Sequence, residues 1–482
     1  MNSKEKNMRK TKIICTLGPA VDSEEMIRAL ILGGMDAARF NFSHGTHESH
    51  LAQLRKLKNV RDALGRPVAA ILDTKGPEIR IRTFVNGSIA LEKGDAFTLT
   101  TDDVPGDENR VSVTYPELHA EVAPGSRVLI DDGLIEMVVE GVSGHEIHCV
   151  LETGGSLSNN KSINLPDVHI NLPSLTPEDE KDLKFAVEND FDYIAASFVR
   201  RASDVNDIRR VLRGYGGGDI RIIAKIENRE GVDNLHEIID AADGVMVARG
   251  DLGVEIPAWE VPVLQKIMIT ETTRKGKPVI TATQMLDSMI RNPRPTRAEV
   301  SDVANAVFDG TSCVMLSGET AAGSYPLEAL ATMVNTVVTA EKATNYWGRF
   351  QKNTYECGRS VNDAITHTCC LTAMDLGAQA ILTATQTGST ARMISRYRPS
   401  CPIVALTVTE KVRRQLAISW GVQPFLSGSV DSTDRLFSLC VECARKEGMV
   451  SPGDTVVITA GVPIGKTGST NLIKAQVVEE PL

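Results

Sequence analysis

Three charged side chains near the middle of the chain have the types and spacing of a metal-assisted transfer site. Arg221-Ile-Ile-Ala-Lys225-Ile-Glu227 and Gly244-Val-Met-Val-Ala-Arg249-Gly250-Asp251 each read as a short buried strand that ends in charge. Side chains alternate along a strand, so Lys225 and Glu227 point to the same side. Asp251 falls just past the end of the next strand, beside a glycine. A cation and two carboxylates gathered at neighbouring strand ends can hold a divalent metal and an anionic substrate together. Carboxylate oxygens are the hard ligands that Mg2+ takes. Charges at the ends of apolar strands can also be plain solvated termini, so the surrounding elements decide the reading.

Those elements alternate. Lys12-Ile-Ile-Cys-Thr16 is a strand, Ser23 can cap the helix after it, and Gly33-Gly34 closes that helix. A second strand begins at Ala37, and Val68-Ala-Ala-Ile-Leu72 runs into Asp73-Thr74-Lys75-Gly76. Near residue 77 the texture changes to short alternating strands with Gly, Pro and Asp turns. Nothing helical is convincing until Thr176, which precedes Pro177 and an acidic first turn. Alternation then resumes, with strands near 192–198, 220–227, 244–248, 278–282 and 313–317. Joined to the three before the insert they make eight, the count and spacing of a (β/α)8 or TIM barrel, whose chemistry lies at the C-terminal strand ends. The polar clusters all fall at such ends: Arg39 to His44, Asp73 to Lys75, Lys225 to Glu227, Ala248 to Asp251, Thr281 to Gln284 and Ser317 to Glu319. A helical stretch around 326–347 leads into a region that alternates again and reads as an open α/β sheet. The expected units are a barrel from 1–76 and 173–345, an inserted β-barrel lid at 77–172, and a C-terminal α/β domain at 346–482.

Composition narrows the class. At 482 residues two to four domains are expected, and 42% hydrophobic with 24% charged residues is ordinary globular chemistry. A net charge of −10 with no basic stripe argues against nucleic acid as a partner. No run approaches a membrane span, and residues 1–10 lack the apolar core of a secretory signal, so a cytoplasmic protein is expected. Nine cysteines scattered through apolar contexts suit reduced, packed thiols. Cys440-Val-Glu-Cys443 has metal or redox spacing but no second pair, and its helical setting makes it core. Gly461-Val-Pro-Ile-Gly465-Lys466-Thr467 evokes a phosphate-binding loop, yet it is one residue short, with Ala460 where the first glycine belongs. His44, His47 and His50 suggest a metal cluster, but no Cys or carboxylate partner suits zinc there, and His47 and His50 read as solvated helix residues.

The motifs taken together resemble the pyruvate kinase family nearly end to end. They are Arg39-Phe-Asn-Phe-Ser-His44-Gly, Asp73-Thr-Lys-Gly-Pro-Glu78-Ile-Arg80, Asn164-Leu-Pro, Lys225-Ile-Glu-Asn, Ala248-Arg-Gly-Asp-Leu-Gly253, Thr281-Ala-Thr-Gln-Met-Leu286, Pro293-Arg-Pro-Thr-Arg-Ala-Glu299 and Met315-Leu-Ser-Gly-Glu-Thr320. One alone is weak; in this order and spacing they are specific. The resemblance implies phosphoryl transfer from phosphoenolpyruvate to ADP with Mg2+ and K+, a lid that closes over the barrel, an effector domain and a homotetramer.

The resemblance also implies roles. Glu227 and Asp251 bind Mg2+, and Lys225 lies against the transferring phosphoryl group and the enolate. Arg39 and Arg80 are candidates for clamping the phosphate, since a guanidinium fork matches its oxygens. Gly250 and Asp251 hold the substrate carboxylate, helped by free N–H groups if a short helix starts there. Asn41, Ser43, Asp73 and Thr74 offer oxygens only, and the family places K+ on them. Glu78 accompanies K+ dependence in relatives, whereas Ile81 departs from the threonine common among them. Thr283, and secondarily Ser317 with Glu319, fit proton delivery to the enolate through ordered water. His44 and Lys161 face the nucleotide, with Lys161 arriving on the lid. Thr385, Gln386, Thr387, Gly388, Ser389 and Thr390 form a strand-to-helix loop that holds the phosphate of an allosteric sugar phosphate in relatives. The loop 461–470 lacks the Trp and Arg that some relatives use for a second phosphate, which favours a monophosphate effector.

Three other readings stand beside this one. A Mg2+-dependent lyase acting on a pyruvate enolate would use the same barrel without the insert or the last domain. A glycosidase would want aromatic sugar platforms, and only 4% of residues are aromatic. A non-catalytic sugar-phosphate-binding regulator would require loss of a key residue, and none is lost. Ala322, where several relatives carry lysine, is the one departure beside the site.

Overall fold

The computed structural model describes residues 9–352, 360–464, 468 and 470–480. Eight β-branched-rich segments form a closed parallel barrel, with strands β1 (Lys12–Thr16), β2 (Ala37–Asn41), β3 (Ala69–Asp73), β4 (Tyr193–Ala196), β5 (Arg221–Ile226), β6 (Gly244–Ala248), β7 (Val279–Ala282) and β8 (Cys313–Leu316). Each strand pairs with the next in sequence, and β1 closes the ring against β8 with Ile13 opposite Val314. The strands are buried on both faces, as parallel strands covered by helices must be. One face packs on the helix ring through residues such as Phe40, Leu72 and Ile222. The other fills the barrel with Ile14, Ile71, Tyr193, Ile223, Met246, Ile280 and Met315.

Local chemistry sets the connections. Ser23 accepts the Met26 N–H, and Gly34, at φ 125°, ends the helix Glu24–Gly33, where a side chain would be strained. Thr176 and Thr296 each form a capping box with the carboxylate three residues on, Asp179 and Glu299.

Between β3 and β4 lies the all-β insert. Seven strands run in the order Ile79–Arg80, Ser162–Asn164, Arg127–Ile130, Ile135–Ser143, Glu146–Thr153, Ala96–Thr100 and Arg110–Ser112. An isolated bridge between Ile81 and Val113 joins the two edges, so the sheet curls onto itself around its own core. Ile81 is fully buried in that core, which accounts for an apolar side chain there. A short helix at Leu118–Glu121 interrupts the strands; its four residues are too few to leave a helical period in the sequence.

The last region is a five-stranded sheet: β9 (Ala380–Ala384), β10 (Ile403–Thr407), β11 (Val422–Leu426), β12 (Thr455–Gly461) and antiparallel β13 (Thr470–Val477), in the order β11-β10-β9-β12-β13. It caps the N-terminal mouth of the barrel. Ile418 enters the barrel core, the Tyr193 hydroxyl donates to Gln415 O at 2.6 Å, and Arg414 meets the buried Asp192 at 2.8 Å. Cys440 and Cys443 lie on the helix Thr433–Lys446, the first buried and the second half-buried, with burial raising both thiols. Lys466 and Thr467 of the loop-like stretch lie outside the described residues.

Candidate active site

The C-terminal ends of β2 to β5 bring four predicted residues into contact. Lys225 Nζ lies 3.0 Å from Asp73 Oδ1 and 3.1 Å from Glu227 Oε1, and donates to Ser197 Oγ at 2.7 Å. Arg39 Nε meets the other oxygen of Asp73 at 2.6 Å, and Arg39 Nη1 donates to Thr16 Oγ1 at 3.2 Å. Asp73, Lys225 and Glu227 are all buried. Buried charges persist only when paired and hydrogen-bonded, and this cluster meets that demand internally. Glu227 also accepts the Phe198 N–H at 2.6 Å, with Phe198 held at φ 54°. A bulky non-glycine residue at that angle is strained, and such strain concentrates at functional sites.

Burial works against charge at each of these groups, and the neighbours decide the outcome. Burial alone would lower Lys225, but Asp73 and Glu227 outweigh it and hold the ammonium above its usual range. Burial lifts Asp73, yet Arg39 and Lys225 bring it below the ordinary carboxylate value. Burial raises Glu227 to about 7 despite Lys225, and Asp251 adds repulsion. The two halves of the Lys225–Glu227 pair thus move the same way. Lys225 has a second carboxylate in Asp73, whereas the next charge facing Glu227 is another anion.

Past β6 and β7 two turns are tied together. The Gly250 N–H donates to Thr283 Oγ1 at 2.8 Å, and Thr283 and Gln284 both take left-handed backbone, φ 64° and 54°. Arg249 braces this turn: it donates to Ala282 O and Thr283 O and pairs with Asp302 at 2.6 Å within the chain. A short helix, Arg249–Glu255, does start here and carries Asp251 in its first turn. Ser317 Oγ is buried without a hydrogen-bond partner among the described residues, and its N–H donates to Glu319 at 2.7 Å. Glu319, itself raised by burial, also takes the Leu286 N–H at 3.0 Å, so it shapes the turn.

The other predicted residues sit as follows. Asn41 Oδ1 accepts the Ser43 N–H at 3.3 Å, and the Asp73 carbonyl accepts the Phe42 N–H, which draws the two strand-end turns together. Thr74 is buried, its carbonyl accepting Ser197 Oγ at 2.6 Å. Arg80 pairs with Glu78 at 2.7 Å and donates to Asn160 O, while Lys161 pairs with Asp131 at 2.9 Å. A cavity of about 390 Å³ separates lid from barrel, with Glu78, Asp132, Asn164, Phe198, Asp251 and Glu255 in its wall. Asn164 Nδ2 spans it to Glu255 Oε1 at 2.9 Å.

His44 is exposed on its turn, but the solvated reading of its neighbours needs correction. His50 is buried and stacks on Phe42 with ring centroids 4.1 Å apart, and its Nε2 meets the His44 carbonyl at 2.8 Å. His47 Nε2 contacts Asp182 at 2.6 Å, and Glu178 lies close enough that the three could share an ion. Carboxylates are therefore present; they arrive on the helix Pro177–Glu188, more than a hundred residues away, where no local spacing could reveal them.

In the C-terminal sheet the predicted effector loop lines a cavity of about 120 Å³, with Thr385, Gln386, Thr387, Ser389 and Thr390 facing Ser427 and Ser429. Gly388, at φ 79°, starts the helix Ser389–Ser395, and a Cβ there would lie 2.5 Å from Arg392 Nη1. The Thr387 carbonyl accepts from Arg392 at 2.9 Å and from Arg221, the first residue of β5, at 3.2 Å.

Sequence reasoning missed Ser197, Thr16 and the Phe198 amide, all of which hold the charged cluster. Ser197 lies at the end of β4, and its position at a barrel strand end was the available signal.

A closed barrel with a strained, charge-dense rim at its C-terminal strand ends, covered by an inserted lid, defines a barrel enzyme. Comparison with known proteins gives the particular kind. The family profiles "Pyruvate kinase, barrel domain" and "Pyruvate kinase, alpha/beta domain" match residues 8–330 and 363–476. A pyruvate kinase of Clostridium acetobutylicum is 50% identical over 473 residues, 98% of this chain and all of that one. A pyruvate kinase of Geobacillus stearothermophilus is 50% identical over 476 residues, 98% of this chain and 81% of that one. The crystal structure of a pyruvate kinase from Cryptosporidium parvum superposes with a TM-score of 0.94 at 39% identity, covering 99% of this chain and 98% of that one. The chain belongs to the pyruvate kinase family, and by that membership it is a phosphotransferase.

Proposed function

We propose that this enzyme transfers the phosphoryl group of phosphoenolpyruvate to ADP, giving pyruvate and ATP, as the last step of glycolysis in the cytoplasm. The observation that carries the reading is the Lys225 ammonium, buried between Asp73 and Glu227 at the rim and kept charged by them.

Glu227 and Asp251 fit Mg2+. They are two carboxylates close enough to repel, and burial has already brought Glu227 to about 7, so a hard cation would relieve a cost the apo site carries. Bound there, Mg2+ would supply positive charge against the phosphoryl and carboxylate oxygens. The protein side chains do the rest. Arg39, fixed by Asp73 and Thr16, turns its remaining N–H groups to the phosphate. Lys225 neutralises charge that builds on the enolate oxygen as the P–O bond breaks. Gly250, held by Thr283, presents backbone to the substrate carboxylate. After transfer, the Thr283 and Ser317 hydroxyls orient a water that delivers a proton to the enolate carbon; the unpartnered Ser317 Oγ suits that use. Arg80, His44 and Lys161 act on phosphate and nucleotide, with Arg80 and Lys161 leaving their present carboxylate partners as the lid closes. Asn41, Ser43, Asp73 and Thr74 take K+, consistent with Glu78 rather than lysine at the neighbouring position.

The hydroxyl-lined cavity at 385–390 takes a phosphorylated effector. Assembly into a homotetramer is supported by Trp259, exposed in the turn before the helix Val261–Arg274, by Val263 and Ile267, exposed on that helix, and by the open outer edge of β13. The functional units are 1–76 with 173–345, 77–172, and 346–482. Insert and last sheet are both present, so nothing favours the lyase reading. Among the described residues no helix is long and apolar enough to cross a membrane.

The test is pyruvate formation from phosphoenolpyruvate and ADP with Mg2+, with and without K+. Product that disappears without Mg2+ supports the reading, and no product from folded protein with sugar phosphates present overturns it.

A further inference from the structure

We propose that Ser197 is a positioning residue for Lys225, an inference that rests on the phosphoryl-transfer reading above. Three contacts meet at this residue, two of them at its hydroxyl. Ser197 Oγ accepts from Lys225 Nζ at 2.7 Å, the shortest of the lysine's polar contacts. It donates its proton to the Thr74 carbonyl at 2.6 Å. Its own N–H donates to Thr74 Oγ1 at 3.3 Å, which fixes the serine backbone on the loop after β3.

The geometry gives this hydroxyl a distinct task. Asp73 and Glu227 attract Lys225 from two sides, Asp73 through a hydrogen bond at 3.0 Å and Glu227 through an ion pair that is Coulombic and weakly directional. A lysine ammonium is a compact charge on a flexible four-carbon stem, so charge alone leaves its three N–H groups free to rotate between the carboxylates. An ammonium has no acceptor, so the hydroxyl can only accept from Lys225 through a directed lone pair. Its own proton goes to the Thr74 carbonyl at 2.6 Å, with Asp73 Oδ1 a longer second acceptor at 3.4 Å. With N–H groups donated to Asp73 and Ser197, and the Glu227 carboxylate 3.1 Å away as an ion pair, the ammonium is fixed in place.

The surroundings are built to keep Ser197 there. It is buried, and a Cβ on Gly76 would lie 2.8 Å from its own Cβ, so the loop after β3 closes over it only with glycine at that point. Gly76 is in turn held by Asp179, which accepts its N–H at 2.9 Å.

A group that only orients Lys225 should matter most where the lysine meets the enolate and little where intact substrate binds. In Ser197→Ala, kcat should fall roughly ten- to a hundredfold, while the KM for phosphoenolpyruvate stays within about threefold. Oxalate, a dianion shaped like the enolate of pyruvate, supplies a readout apart from turnover. Its equilibrium affinity with Mg2+, measured by calorimetry, should weaken in step with kcat. Ser197→Cys separates the two contacts, since a thiol can still donate toward the Thr74 carbonyl but accepts poorly from an ammonium. Its kcat should stay as low as that of Ser197→Ala. Unchanged kcat and oxalate affinity in Ser197→Ala would overturn the proposal. So would equal losses for phosphoenolpyruvate and oxalate together with a large drop in melting temperature, or recovery in Ser197→Cys, which would assign the role to the Thr74 contact. If wild-type protein makes no pyruvate, the phosphoryl-transfer reading fails first, and the proposal with it.

Discussion

Replacing Lys225 with methionine tests the site most directly, because the side chain keeps its length and loses only its charge. Two unit charges about 4 Å apart at an effective dielectric of about 20 attract by roughly 4 kcal/mol. If that attraction is realised only as the enolate forms, its loss slows turnover about a thousandfold. The structure also fixes what the change does to the fold. Lys225 balances two buried carboxylates, and removing one partner of a buried pair can cost ~3–5 kcal/mol. Here the penalty is blunted on both sides. Asp73 keeps Arg39 at 2.6 Å, and Glu227, already at about 7, protonates rather than remaining a buried anion. The sign of the pH dependence follows. A carboxyl whose folded pKa is raised supplies stability that is complete below its unfolded value and is lost as pH rises through the folded one. In Lys225→Met the Glu227 carboxyl rises further, so without Mg2+ the melting deficit should be small near pH 6 and grow towards pH 9. The assays are steady-state pyruvate formation, phosphoenolpyruvate binding and thermal melts across that range. Near-normal turnover would refute the role of Lys225. A deficit that shrinks with rising pH would refute the account of Glu227.

Further outcomes follow from other contacts. Asn164→Ala removes the hydrogen bond from lid to Glu255, a loss of about 1 kcal/mol, and should raise the KM for ADP several-fold while lowering the melting temperature by no more than about 4 °C. Asp243 is lifted by burial but held below the usual carboxylate range by Arg209 and Arg221. Its stabilisation is present above about pH 4 and is lost on acidification, so urea curves of Asp243→Asn and wild type should differ by roughly 1–3 kcal/mol at pH 7 and converge near pH 3. Gly388→Ala forces a side chain into left-handed backbone and against Arg392, and should abolish any sugar-phosphate shift of the substrate curve with basal kcat retained. Replacing K+ with tetramethylammonium should lower turnover at least tenfold, checked at constant ionic strength.

The barrel was legible because buried parallel strands leave short β-branched runs, and their ends carry whatever chemistry the enzyme has. Lys225, Glu227 and Asp251 are readable for that reason, each within three residues of the end of an apolar run. Ser197 was not, since a lone serine after Tyr193-Ile-Ala-Ala looks like any turn residue until the fold sets it beside Lys225. His47 and His50 fail similarly: their partners Asp182 and Phe42 are fixed by packing between helices and strand ends. The small helix at 118–121 is too short for periodicity to register. Arg80 and Lys161 are visible as cations in sequence, but only structure reveals that each already holds a carboxylate.

The pairing of β1 with β8 has a consequence for synthesis on the ribosome. Ile13 finds its partner at Val314, about 300 residues later. At ~5–20 residues per second the first strand waits some 15–60 s for its neighbour to be made. The first three strands are therefore exposed, apolar and unclosed for most of that time. The insert between β3 and β4 pairs only within itself and has its own core, so it can fold in the interval. Once folded it would stand as a bulky body beside the unfinished strands, where it would hinder their edge-to-edge association with other nascent chains. The insert is thus placed, by its position in the chain, to shield the barrel while it is still half made.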